Sequence, residues 1–212
     1  MPDSRHQSFD VIVLGVGSVG SATCHHLAER GARVLGIDQF TIPHNRGSHH
    51  GNSRMIRRAY YEHPDYVPLL KRAYELWDEL QKNTSRKFFH ITGGLYVGSQ
   101  SGSIFPGSLR AAHQHRLDHS ILSAQQISER YPALRIPGDF SGFYEDQAGF
   151  LVPGEAISSY AQSALRHGAV ISQGEKILSW DTRPGHVEVT TEKGSYRADH
   201  LVITAGAWSG QV

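Results

Sequence analysis

An α/β fold is what this sequence predicts, and three observations predict it. A short apolar strand runs straight into a glycine-rich turn and a helix, and a second apolar strand then ends on an acid: FDVIVLGVGSVG, SATCHHLAERG and ARVLGID. A long, basic, irregular segment follows where another strand–helix repeat would continue the pattern. Beyond it, amphipathic helices alternate with short strands and lead into a β-rich stretch that reaches HLVITAG.

Phe9 to Leu14 has the length and composition of a buried strand, and it enters Gly15-Val16-Gly17-Ser18-Val19-Gly20. The three glycines have separate tasks. Gly15 permits a tight turn, Gly17 lets the backbone come close to a pyrophosphate, and Gly20 lets helix and strand pack closely. The helix begins at Ser18 and Val19, where unpaired N–H groups and the helix dipole favour phosphate. It is expected to turn Ala22, Leu27 and Ala28 to the sheet and to stop at Gly31. Cys24 reads as a small buried hydrophobe. Asp38, eighteen residues after Gly20, stands where an acid can accept hydrogen bonds from a ribose, with Gln39 beside it. A lone glycine fingerprint is weak, but strand, helix and acid in this order make a Rossmann-like dinucleotide site. An acid at this position argues against a 2′-phosphate, which leaves FAD or NAD.

The next helix, DYVPLLKRAYELWDELQKNT, carries Leu69, Leu70, Ala73, Leu76, Trp77 and Leu80 at helical spacing, the pattern of a core stripe. FFHITGGLYVGS (88–99) reads as a strand, a Gly-Gly turn or bulge, and a second strand. Helices are expected around Leu109 to Arg116 and from Ala124 to Tyr131, the latter with Ser123 as N-cap. GFYEDQAGFLVP reads as two short strands around a turn, and GEAISSYAQSALRHG as an amphipathic helix closed by Gly168. HVEVTTEKGSYRADHLVITAG reads as a β-meander ending in a buried strand, LVIT. A long loop directly after the ribose acid, followed by β-structure of another kind, indicates a flavoprotein with a second domain spliced into the first. Residues 1–85 and 150–212 are expected to form a discontinuous FAD-binding domain, a central parallel sheet plus the meander. Residues 86–149 would be the first part of an inserted α+β substrate domain.

Composition narrows the partners. The 21 basic and 20 acidic residues leave a net charge of +1, so nothing global asks for nucleic acid or a membrane. The fourteen histidines are scattered and show neither His-Glu-x-x-His nor Cys-x-x-Cys surroundings, so no metal site is expected. A single cysteine excludes an intramolecular disulfide and fits a reducing, cytoplasmic compartment. The polar start MPDSRHQSFD has no apolar leader segment.

The segments GVGSVG, GSHHGNSRMIRRAYYEHPDYVPLLKRAYELWDEL, FHITGGLYVG, FYEDQAGFLVPGEAISSYAQSALRHGA and LVITAGAW together resemble the N-terminal half of the monomeric sarcosine oxidase and N-methyl-L-tryptophan oxidase family. These are FAD-dependent amine oxidases with a D-amino-acid-oxidase-like fold. The resemblance is colinear from about Asp10 to Trp208, and its most specific part is the block from Gly47 to Arg57.

The resemblance implies that FAD lies against the Gly15–Gly20 turn and Asp38, and that the loop from His44 through Gly47, Ser48 and His49 to Met55 wraps the cofactor. It implies a backbone contact at Ile177 and a second pass of backbone at Ala205, Gly206 and Trp208. Arg54 matches the arginine beside the flavin ring, where positive charge offsets the charge of the reduced ring. Arg57 matches the arginine that holds the substrate carboxylate, a task suited to a guanidinium that forms two parallel hydrogen bonds. His50 matches an active-site histidine. Arg58 keeps the reading of a solvated basic residue.

Taken together, these features imply an FAD-dependent oxidase of secondary amines. Its substrate would be an N-methyl amino acid such as sarcosine, oxidised to an imine while O2 becomes H2O2. The whole protein would be a monomer. The family's second half would supply a lysine partner for the carboxylate and the cysteine that attaches flavin, so this chain is expected to be truncated. Two other readings stand beside it: an NAD-dependent dehydrogenase on the same fingerprint, and a dinucleotide-binding remnant without turnover.

Overall fold

The computed structural model describes residues 8–212. The polar start read above for a leader segment lies, through Gln7, outside them. The chain divides into two compact units. One runs to Asn52 and resumes from Val152 to Val212, and the other is Ser53–Leu151. The expected boundaries near 85 and 150 therefore differ at the first crossing: the segment after Asn52, with the long amphipathic helix, groups with the inserted unit.

The first unit opens with β1 (Ser8–Leu14), α1 (Ser18–Glu29) and β2 (Val34–Asp38). β1 lies in the interior of its sheet, so its residues are apolar on both faces. Ile12 and Leu14 join Leu35 and Ile37 in one buried cluster, while Val11 and Val13 join Cys24, Ala28 and Ala164 in the other. The sheet-facing side of α1 is not the expected one throughout. Ala28 is buried, but Ala22 and Leu27 are half-buried, and Ser21, Cys24 and His25 are buried instead. A second helix packs along α1, so its covered arc is wider than a sheet alone would require. Gly31, with φ of 87°, ends the helix as expected. Burial pushes the Cys24 thiol up to about 12, consistent with an inert packing residue.

In the second unit, β3 (Arg54–Ile56) and α2 (Tyr66–Lys82) lead to β4 (Phe89–Ile91) and β5 (Gly94–Ser99). α3 (Ile104–His115), β6 (Ser120–Ser123), α4 (Ala124–Arg130), β7 (Phe140–Glu145) and β8 (Gly149–Leu151) complete it. Ser123 caps α4 in a full capping box, accepting from Gln126 N–H at 3.2 Å while the Gln126 side chain accepts from Ser123 N–H at 2.8 Å. The two strand pairs read from sequence do not form local hairpins. β4 pairs with β8 and β5 with β7, so 88–99 and 140–151 lie antiparallel, with a break at Thr92 and Gly93 opposite Ala148. Sheet orders are β3-β8-β4 and β5-β7-β6. Phe143, Phe105, Tyr96 and Ala112 form the core beside them. The expected stripe on α2 is only partly covered: Leu80 is buried, Leu69 is 68% exposed, and Val67 and Tyr74 are the other buried positions.

The first unit resumes with α5 (Pro153–Arg166), β9 (Val170–Gln173), β10 (Ile177–Arg183), β11 (His186–Thr191) and β12 (Ser195–Ile203). Its sheet has the order β10-β11-β12-β1-β2-β9. β12, β1, β2 and β9 are parallel, and β10–β11–β12 form an antiparallel meander on the same sheet. LVIT is less buried than its sequence suggests: Leu201 and Val202 are half-buried and Ile203 is exposed.

Candidate functional site

The C-terminal ends of β1 and β2 define the site, because the chain leaves both strands through tight turns there. Gly15 has φ of 89°, and a Cβ on it would stand 2.7 Å from the Thr204 carbonyl oxygen. A Cβ on Gly20 would stand 1.9 Å from the Gly15 carbonyl oxygen, so the first turn of α1 rests on the glycine turn itself. Thr204 braces the same turn through its hydroxyl, which donates to the Gly15 carbonyl at 2.6 Å. Gly17 is the N-cap of α1 and supplies no side-chain acceptor. The opening N–H groups of α1 are thus left for another acceptor, and Gly17, Ser18 and Val19 face a cavity of about 460 Å³. An uncapped helix start on a cavity is a ready anion site.

Asp38 is buried, and its two oxygens accept from the N–H of Val16 at 2.8 Å and of Phe40 at 2.9 Å. The acid expected at the ribose therefore also ties β2 to the glycine turn. Each oxygen retains a second lone pair for a ligand hydroxyl, and Asp38 and Gln39 line the cavity. His44 follows, 3.8 Å from the Asp38 carboxylate.

The loop after β2 folds on its own histidines. His44 Nδ1 accepts from Arg46 N–H at 3.1 Å, and His49 Nε2 donates to the His44 carbonyl at 3.1 Å. The His49 ring covers Gly47, where a Cβ would meet Cε1 at 2.4 Å, so only glycine fits beneath it. Burial holds the His49 imidazole below its ordinary pKa, outweighing the His44 carbonyl that raises it. Phe40 stands edge-on to Trp208 at 5.6 Å and carries the Arg46 guanidinium over its face at 4.9 Å. These two residues join Ile177, Ala205 and Gly206 on the cavity wall. Arg46, within the expected His44–Met55 loop, and Thr204 also line it, as do Phe40 and Lys176, which sequence reasoning passed over.

Gly20, His50, Arg54, Met55 and Arg57 are not among the residues that line this cavity. Gly20 is packed beneath the turn, and His50 is exposed and outside the cavity lining. Arg54 and Met55 lie exposed on β3 in the second unit. Arg57 is half-buried there, its guanidinium 4.3 Å from the Tyr60 ring centroid and donating to Glu62 at 3.1 Å. Arg58 is not the freely solvated residue expected. Its guanidinium lies 4.7 Å from the Tyr74 ring centroid, and its N–H donates to Glu145 at 2.9 Å. Glu145, at the end of β7, also accepts from Ala59 N–H at 3.2 Å. This buried acid, which sequence reasoning missed, anchors the segment that carries Arg57. Burial pushes its carboxyl above the ordinary range, against the two N–H donors and the arginines that pull it down.

A second buried acid, Glu175, braces the turn before Ile177. Its carboxylate accepts from the hydroxyls of Ser172, Thr191 and Tyr196, and its own N–H donates to the Asp38 carbonyl at 3.0 Å. Burial alone would raise its pKa, but the three hydroxyl donors hold it below the ordinary value. Among the described residues no helix is long and apolar enough to cross a membrane.

Residues 10–212 match the family profile described as FAD dependent oxidoreductase. Monomeric sarcosine oxidase of Streptomyces avermitilis is 43% identical over 205 residues, covering 97% of this chain and 53% of that protein. N-methyl-L-tryptophan oxidase of Yersinia pestis (strain Pestoides F) is 35% identical over 200 residues, covering 94% and 54%. Among solved structures, NikD, an unusual amino acid oxidase essential for nikkomycin biosynthesis, superposes with a TM-score of 0.87 at 28% identity, covering 97% of this chain and 53% of that one. L-proline dehydrogenase from P. horikoshii shares the fold, with a TM-score of 0.83 at 22% identity over 98% and 55%. The chain spans about half the length of the curated relatives it matches.

Proposed function

Because the chain belongs to the FAD-dependent oxidoreductase family, we propose that it is the cofactor-binding part of an oxidase of secondary amines, acting on N-methyl amino acids such as sarcosine and producing an imine and H2O2. The observation that carries this reading is the cavity of about 460 Å³, which has an uncapped helix start at one part of its wall and Asp38, Ile177 and Trp208 at others. The family is FAD-dependent, and the residues present fit that group. The N–H groups at Ser18 and Val19 suit its pyrophosphate, Asp38 and Gln39 suit a ribose, and the His44–His49 loop closes over a wall of glycine. When bound, FAD supplies the acceptor for the electron pair lost by the substrate and passes it to O2.

Arg57 would hold the substrate carboxylate. Its guanidinium lies over the Tyr60 ring and uses one hydrogen bond on Glu62, while its Nε is buried without a partner. Arg54 would place positive charge beside the flavin ring, and His50 would act within the active site. Support for these three assignments comes from the likeness of the Gly47–Arg57 block to the sarcosine oxidases. A nicotinamide cofactor has lost its support, since the matched family is FAD-dependent.

The test is direct. The purified full-length protein should show the visible absorption of a flavin and release peroxide with sarcosine, N-methyltryptophan or pipecolate. A colourless protein that turns over with NAD would overturn the cofactor assignment. Bound flavin without peroxide from any secondary amine would leave a dinucleotide-binding remnant as the better description.

A further inference from the structure

Near the end of α1, three side chains bring ligand atoms together that neither the family nor the cavity accounts for. His25, His26 and Glu29 each offer one atom, and all three atoms lie within 4.8 Å of one another. Glu29 Oε2 is 3.9 Å from His25 Nε2 and 3.5 Å from His26 Nδ1. Glu29 follows the two histidines by four and three residues, so one carboxylate reaches back over both. Atoms bonded to a single tetrahedral ion at 2.0–2.2 Å stand about 3.4 Å apart. Both carboxylate–imidazole separations are thus within roughly half an ångström of that spacing.

We propose that His25, His26 and Glu29 form a binding site for a divalent transition-metal ion of the Zn2+ class. Imidazole nitrogen and carboxylate oxygen are ordinary Zn2+ ligands, and three protein ligands leave a position for water or a fourth side chain. Neither nitrogen of His25 is committed to the protein's own hydrogen bonding. Nδ1 is buried without a partner, and Nε2 faces Glu29 beyond hydrogen-bond distance.

The surroundings of the cluster suit a cation. His167, the C-cap of α5, donates from Nδ1 to the Ser163 carbonyl at 2.8 Å, which leaves its lone pair on Nε2. Its ring centroid is 5.7 Å from that of His25, making it the nearest candidate for a fourth ligand. Tyr160 packs against both His25 and His26, with centroids at 5.5 and 5.9 Å. The last turn of a helix favours positive charge. Arg166, which faces His25 from α5, opposes it, and the Glu29 carboxylate offsets that opposition. Sequence spacing concealed the set, because adjacent helical residues normally diverge by about 100°.

This inference is independent of the oxidase reading and is tested without turnover. The full-length protein, first treated with EDTA and then dialysed, is titrated with Zn2+ by calorimetry, and its thermal unfolding is followed with and without the ion. One site is expected, with unfolding shifted upward by Zn2+. His26→Gln and Glu29→Gln should each weaken the site on the order of a hundredfold and abolish the thermal shift. His186→Gln, at a half-buried histidine 3.4 Å from Glu188, should leave both readings unchanged. Both substituted cluster positions are part-exposed, so their variants are expected to fold. Equal Zn2+ affinity in wild type and in the His26→Gln/Glu29→Gln double variant would overturn the site, as would loss of binding in His186→Gln alone.

Discussion

The carboxylate of Asp38 accepts the backbone N–H of Val16 at 2.8 Å, so the last residue of β2 holds the middle of the glycine turn that follows β1. One side chain at the proposed ribose position thereby sets the shape of the phosphate-facing loop as well. Cofactor affinity and local stability should depend on it together.

Asp38→Ala leaves the N–H groups of Val16 and Phe40 without acceptors inside a buried turn. Each unsatisfied donor costs about 1–3 kcal/mol. The variant should unfold at lower denaturant and bind FAD at least tenfold more weakly, as read by flavin fluorescence titration. Asp38→Asn keeps one acceptor and should fall between. An Asp38→Ala protein that retains stability and loses only FAD would confine this acid to the ligand.

The glycines separate by what a methyl group would meet. Gly20→Ala drives a Cβ to 1.9 Å from a backbone oxygen, and overpacking of this kind typically costs about 1–3 kcal/mol or more. Gly31→Ala meets nothing within 4 Å and pays only for its left-handed backbone, about 1–2 kcal/mol. Chemical denaturation should show the first variant to be the less stable, and only the first should lose cofactor.

The two buried acids should give opposite pH dependence. Glu145 is raised in the folded protein, so folding favours its protonated form. Wild-type stability relative to Glu145→Gln should fall as pH rises from 4.5 through the folded value. Glu175 is lowered, so its contribution is present above pH 4.5 and is lost as pH falls through the folded value. Wild type should therefore lose stability relative to Glu175→Gln on acidification. Denaturant midpoints between pH 3.5 and 8, read for both pairs, check the two signs.

Arg57→Ala in the full-length enzyme should raise KM for carboxylate-bearing amines while leaving flavin content nearly intact. Loss of a charge-assisted paired contact costs about 2–4 kcal/mol, a factor of about thirty or more in kcat/KM. Equal loss of flavin and activity would instead put Arg57 with the cofactor.

What could be read from sequence was local. β1, the glycine turn, α1 and Asp38 are contiguous, and each glycine's task follows from backbone geometry within a few residues. The N-cap of α4, Ser123, was legible for the same reason, though the reciprocal bond from Gln126 was not read. Partner choice among short strands was not: β4 and β8 carry the same signals as hairpin arms, yet their pairing is decided across about sixty residues. Glu145 and Glu175 look like any surface acid until the surrounding chain buries them and turns hydroxyl or N–H donors toward them. His50 shows the matching limit in a loop. Its neighbour His49 turns inward over Gly47, and the alternation of a loop follows no period that sequence could announce.

The place of β1 in its sheet has a consequence for synthesis on the ribosome. β1 is made before every other described strand and pairs with β12, where Leu14 meets Ile203 at the end of the meander. One edge of β1 must therefore wait until β12 has emerged. Closing so long a loop adds little to the equilibrium cost, but such distant pairing slows folding and prolongs exposure of an apolar edge. The residues of the second unit, Ser53–Leu151, emerge before β12 and can order while β1 is still unpaired on that side. Nascent chains stalled before β12 should accordingly be the species most in need of a chaperone.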